Sequence, residues 1–138
     1  MKRNTFLGIL VVAISLLGGG CAKSRQAASS ATQEFRRRAF AEDWLSIYKG
    51  SAPEFQKSVS EADFVKMMNG VRGKLGGWKS SQDPLWNVNV GTGGRIVTLK
   101  YQSQFEKGAA TEDFVWRIEN DRGILVGYHI NSPIFMVN

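Results

Sequence analysis

Apolar residues recur at three- and four-residue intervals from Gln33 onward, so that Phe35, Ala39, Phe40, Trp44, Leu45 and Tyr48 fall on one face of a helix. Gly50 and Pro53 close that run. A second helix is predicted from Ser60. Its hydroxyl can accept from a free amide of the first turn while Asp63 supplies an acidic side chain three residues on, a variant of the capping box. Phe64, Val65, Met67, Met68, Val71 and Leu75 form the apolar stripe of this helix, and Gly76-Gly77 stops it. A short helical turn around Phe55 to Val59 joins the two.

After Gly77 the period drops to two. Trp86, Val88 and Val90 alternate with Asn87 and Asn89, the glycines of Gly91-Thr92-Gly93-Gly94 allow a tight turn, and Val97, Leu99, Tyr101 and Phe105 alternate on the returning strand. Phe114, Trp116 and Ile118 continue the alternation. Asn120-Asp121-Arg122-Gly123 supplies turn chemistry, and Ile124, Val126, Tyr128 and Ile130 mark a last strand. Two helices thus precede about four antiparallel strands. One face of such a sheet must be covered, and the amphipathic helices are the available cover, which predicts an α+β domain over residues 33–138 with both helices on one face of the sheet. The chain carries no internal repeat.

The first twenty residues follow different rules. Lys2 and Arg3 give a positive start, Phe6 to Leu17 is an almost unbroken apolar run, and Gly18-Gly19-Gly20 places small residues directly before Cys21. This is the layout of an export signal, and the apolar run is shorter than the roughly 20 residues of a permanent membrane span. Leu16 to Cys21 resembles a lipobox, in which cleavage precedes a lipidated cysteine. The resemblance implies a signal peptide over residues 1–20 and an acylated Cys21. With Ala rather than Asp at position 22, it also implies anchoring at the outer membrane with the domain facing the periplasm. Residues 22–32, rich in Ala, Ser and Gln, read as a flexible tether.

Composition narrows the function classes. Cys21 is the only cysteine, so no intrachain disulfide and no cysteine-based metal cluster can form. The formal charge is +6; without Lys2 and Arg3, 16 basic against 12 acidic residues leave +4, with no concentrated basic stripe of the kind that binds nucleic acid. The densest charge cluster, Arg36-Arg37-Arg38, points in three directions around a helix and reads as a solvated surface. Resting against anionic lipid is its alternative role.

Ala41-Glu42-Asp43-Trp44-Leu45, the segment Phe64 to Leu75, the run Val97 to Glu106, Glu112, and the closing Gly127-Tyr128-His129-Ile130 together resemble the DUF4019 family of bacterial envelope proteins over roughly residues 38–131. Ile124 stands where that family usually carries tryptophan. The resemblance implies a small α+β fold of the cystatin-like or NTF2-like kind. It implies no activity and no catalytic residues.

The chemistry-bearing residues are few. His129 is the only histidine, so a zinc site would have to draw its other ligands from carboxylates; in the last strand it is out of phase with Tyr128 and Ile130, which places it toward solvent. Glu106, Glu112, Asp113 and Glu119 flank a hairpin, where two carboxylates brought together would serve acid–base work and four apart are simply solvated. The glycines at 91, 93 and 94 lack the Lys-Ser or Lys-Thr of a phosphate loop, and a turn explains them. Of the four tryptophans, Trp78 and Trp86 fall outside the clearest periodic runs, and with His129 they are the candidate ligand or partner surface. No metal, no cofactor and no nucleic acid are expected. The predicted role is that of a membrane-anchored periplasmic binding module for an envelope protein or small ligand. A small-molecule-binding or enzymatic NTF2-like domain and a structural part in envelope maintenance are the alternatives.

Overall fold

The computed structural model describes residues 19–137 of the 138-residue chain. Of the signal peptide expected over residues 1–20, residues 1–18 lie outside the described residues, and Gly19 and Gly20 begin α1. Four helices come first: α1 (Gly19–Phe40), α2 (Trp44–Lys49), α3 (Pro53–Ser58) and α4 (Glu61–Leu75). Five strands follow, β1 (Trp78–Ser81), β2 (Leu85–Gly91), β3 (Gly94–Phe105), β4 (Gly108–Glu119) and β5 (Arg122–Asn131), with a final 3-10 turn at Pro133–Met136. The helix-on-sheet α+β architecture expected from the pattern is present. None of the described helices is long and apolar enough to cross a membrane.

The expected tether is helical instead. Residues 22–32 belong to α1, and Ser24, Ala28, Thr32 and Phe35 bury one face of that helix. Three of the four are polar or small, so no apolar period announces them. Small side chains let helix and sheet approach closely: a Cβ on Gly123 would sit 2.7 Å from the Ala31 Cβ. The two hydroxyls are satisfied at the helix backbone, Thr32 Oγ1 donating to the Ala28 carbonyl (2.9 Å) and Ser24 Oγ to that of Gly20 (2.7 Å).

The single helix predicted from Gln33 to Tyr48 breaks in two. Glu42 adopts a left-handed φ of 55°, and Asp43 caps α2 by accepting from the Ser46 amide. Trp44 and Tyr48 stay inside, while the turn throws Phe40 out to 71% exposure. The second predicted helix forms as read: Ser60 accepts from the Asp63 amide, and α4 ends at Gly76 with φ 73°. Tyr48 ties the helices together, its hydroxyl donating to the Val59 carbonyl at 2.8 Å.

The sheet is antiparallel throughout. β4 lies between β3 and β5, and the other edge of β3 is shared end to end by β2 (paired with residues 94–100) and β1 (paired with residues 103–105). β1 was not among the predicted strands. In β5 the predicted phase is also corrected: Val115 pairs with Gly127 but Trp116 with Leu125, so Val126 is an extra residue that lets Leu125 and Tyr128 both face inward. The core lies between α1, α2, α4 and one sheet face, around Phe35, Phe64, Leu99, Phe114, Trp116 and Tyr128. A smaller cluster of Leu75, Phe105 and Ala110 receives Ile134 and Phe135, whereas Met136 and Val137 beyond them are exposed.

Candidate functional site

Glu112 is the organising residue. It is one of the inward positions of β4, in phase with Ala110, Phe114 and Trp116, and it is 1% exposed. Burial of a carboxylate is costly unless every lone pair direction is used. Here Arg36 Nη1 donates to Oε1 at 2.9 Å, Ser103 Oγ donates to the same oxygen at 2.6 Å, and the Tyr128 hydroxyl donates to Oε2 at 2.8 Å. Arg36 comes from α1, one residue past Phe35 and four past Thr32. Its second nitrogen donates to Ser81 Oγ at 3.2 Å, Ser81 and Ser103 share a 2.7 Å hydrogen bond, and the Trp78 indole N–H donates to Ser81 at 2.8 Å. The network therefore runs from the surface at Trp78 to the centre of the sheet.

Aromatic rings wall it in. The Arg36 guanidinium lies 4.3 Å from the Trp78 ring centre, 5.0 Å from Tyr101 and 5.4 Å from Phe114. Burial, reinforced by the Glu112 charge, holds the Tyr128 phenol well above its usual range, so it remains a hydrogen-bond donor. Burial also raises Tyr101, partly offset by the positive charge of Arg36. A carboxylate whose two oxygens already accept three hydrogen bonds is a pin between α1 and the sheet rather than a free base.

Beside this network a small cavity of about 60 Å³ opens between α1, α4 and β1. Trp78, 38% exposed, and Phe40 border it, with Arg36 and Glu112 at its floor. A larger groove of about 310 Å³ lies along the opposite flank of α1, lined by Ser30, Glu34 and Arg38 and by Asp121, Arg122 and Gly123 of the β4–β5 turn.

The sequence-derived candidates are dispersed. Trp78 and Trp86 share the helix-covered face, but they pair with Phe105 and Leu99, six residues apart on β3, which separates them by about 20 Å. His129 is exposed on the open face, opposite Asp113 in the ladder. Glu106 accepts from the Gly77 amide (2.9 Å), Asp113 lies 3.6 Å from Lys100, and Glu119 binds Arg117 at 2.8 Å. The four carboxylates thus form no acid–base pair. Among the described residues, no three His, Cys, Asp or Glu side chains cluster to hold a metal ion. Gly94, with φ 97°, confirms the turn explanation of its glycine run.

Arg36-Arg37-Arg38 divides in the same way. Arg36 is consumed by the interior, while Arg37 and Arg38 both bind Glu34, at 2.6 and 2.8 Å. Those hydrogen bonds pull the Glu34 carboxyl from 4.5 down to about 2. Because the folded value is depressed, the stabilisation is complete above the ordinary carboxyl range and is lost as pH falls through about 2. Exposure of the cluster keeps its contribution to stability small. An NMR titration of the Glu34 carboxyl carbon is expected to show its midpoint near 2, and a midpoint near 4.5 would mean that the arginines do not hold it in solution.

The fold and this network define a small helix-on-sheet domain pinned by one buried ion pair. A family model described as "Protein of unknown function (DUF4019)" matches residues 31–128, and the chain belongs to that family. No curated protein matches the chain.

Proposed function

We propose that the chain is an exported envelope lipoprotein, anchored in the outer membrane through Cys21, whose domain faces the periplasm and binds a protein partner or small ligand. The observation that carries this reading is the position of Cys21. The sole cysteine stands directly behind an export-type apolar run and small residues, and it is exposed in the first turn of α1. Acyl chains contribute about 0.8 kcal/mol per buried methylene, and more than one chain gives stable anchoring. For the binding role, the support is the Trp78 rim, where an exposed indole stacked on Arg36 offers a flat contact surface over a preformed network.

The mixed lining of the larger groove, which includes Glu34, Arg38, Asp121 and Arg122, favours a small ligand with both charges as a second reading of the binding role. Intact-mass spectrometry of the protein from its own envelope tests the anchor. The expected mass is that of residues 21–138 plus acyl groups, and Cys21→Ala is expected to remove the acyl increment completely. A wild-type mass without acyl groups would sink the proposal. Any species retained in the same spectrum identifies the ligand or partner, and its loss in Trp78→Ala would place it at the rim.

A further inference from the structure

The face of β2 that flanks α1 is left largely uncovered by the described residues. Trp86, Val88 and Val90 share it; Val88 packs on the core, whereas Trp86 is 47% and Val90 68% exposed. Basic side chains surround them. The Arg25 guanidinium lies 5.2 Å from the Trp86 ring centre, Lys23 is exposed on the same helix, and Arg95 stands opposite Val90 in the ladder. Neither residues 19–33 nor residues 85–105 contain an aspartate or glutamate. At the neighbouring end of β4, Glu119 is already engaged by Arg117.

Arg95 connects this face to the anchor. Its Nη1 donates to the Gly20 carbonyl at 2.8 Å and to Ser24 Oγ at 3.0 Å. Cleavage before Cys21 removes Gly20 and leaves the guanidinium beside the acylated residue with one of those acceptors gone. Indole and small aliphatic groups among cations are the chemistry of a bilayer interface: the ring takes the headgroup layer, and the cations take phosphate.

We propose that Trp86 and Val90, with Lys23, Arg25 and Arg95, form a docking face that lies against the anionic phospholipid surface in which Cys21 is anchored. The inference rests on the lipoprotein reading above. It adds an orientation, because the sheet edge at β2 then faces the bilayer and the Trp78 rim, about 20 Å further along β3, lies away from the anchored end.

The test uses the acylated full-length product reconstituted into vesicles of phosphatidylethanolamine with phosphatidylglycerol, doped with lipids brominated near the headgroup. The Trp86 signal is the fluorescence difference between the wild type and Trp86→Phe. It is expected to be quenched in these vesicles and to recover when phosphatidylcholine replaces phosphatidylglycerol. Arg25→Glu with Arg95→Glu is expected to lower the docked-to-undocked ratio by at least about fivefold, on the order of one surface cation's worth of attraction. If the acylated protein floats with the vesicles but its Trp86 signal is unquenched, or quenching is indifferent to lipid charge, the docking face is wrong and the anchor stands. If the protein carries no acyl mass and does not float, the lipoprotein reading fails and takes this inference with it.

Discussion

Glu112→Ala is expected to destabilise the domain by about 3–5 kcal/mol, because it leaves the guanidinium of Arg36 buried without its counter-charge. The surroundings leave little scope for repair. The Arg36 side chain is 11% exposed and is stacked among Trp78, Tyr101 and Phe114, so it cannot reach water without giving up those contacts. Chemical denaturation supplies the measurement, and a loss under about 1 kcal/mol would show that the pair is not the pin described above. The double variant Arg36→Met with Glu112→Leu is expected to regain most of the loss, since a buried pair replaced by apolar groups of similar volume is often neutral. A spectroscopic companion is available in Glu112→Gln. The Tyr128 phenol is raised by burial and then by the Glu112 charge and hydrogen bond, so neutralising Glu112 should bring the tyrosine titration down. An unchanged or higher titration would contradict the assigned hydrogen bond.

Phe114→Ala is expected to cost about 3–5 kcal/mol, whereas Phe40→Ala should change stability by less than about 0.5 kcal/mol. Phe114 is fully buried, and its ring lies 5.0 Å from Phe35 and Tyr128, 5.9 Å from Tyr101 and 6.0 Å from Trp116. Truncation there opens a void at the junction of helix and sheet that four other aromatics cannot all close. Phe40 sits on the solvent side of the break at Glu42, 71% exposed at the rim of the small cavity, with the Arg72 guanidinium 5.8 Å from its ring centre. Denaturation midpoints of the two variants compare the sites directly. Equal effects would mean that the α1–α2 break does not persist in solution.

Those two phenylalanines also mark where a linear pattern informs and where it misleads. Two-residue alternation located β3 and β4, and the glycine and asparagine turns were legible because turns demand particular backbone conformations. The Ser60 cap of α4 was legible for the same reason: a hydroxyl at that position has one obvious amide to satisfy. Phe40 and Leu45 continue a helical period across a kink, and nothing in the period reveals that Glu42 turns the chain. The first half of α1 escaped because Ser24, Ala28 and Thr32 bury by being small rather than apolar. β1 is too short to display an alternation, and Val126 shifts the phase of β5 by one residue.

The polar network had a signal of its own. Glu112 falls on the inward phase of β4 between Ala110 and Phe114, and Ser103 falls on the inward phase of β3 between Tyr101 and Phe105. A carboxylate on an apolar phase calls for a buried cation. Which cation answers it is not readable along the chain, because Arg36 lies 76 residues away and its neighbours Arg37 and Arg38 turn outward to Glu34. The indole candidates were dispersed for a related reason. Trp78 and Trp86 flank Pro84, which ends the pairing of one strand before the next begins.

That division bears on how copies of the protein meet. A long unpaired strand edge is a template on which another chain can add. Here the edge on the β3 side consists of the four residues of β1 and the seven of β2, interrupted at residues 83–84, where Pro84 has no amide hydrogen to offer. Along this edge an incoming strand finds a continuous ladder no longer than β2, while at the opposite edge the ten-residue β5 is interrupted by the extra residue Val126 and has its Leu125 carbonyl taken by the Ala52 amide.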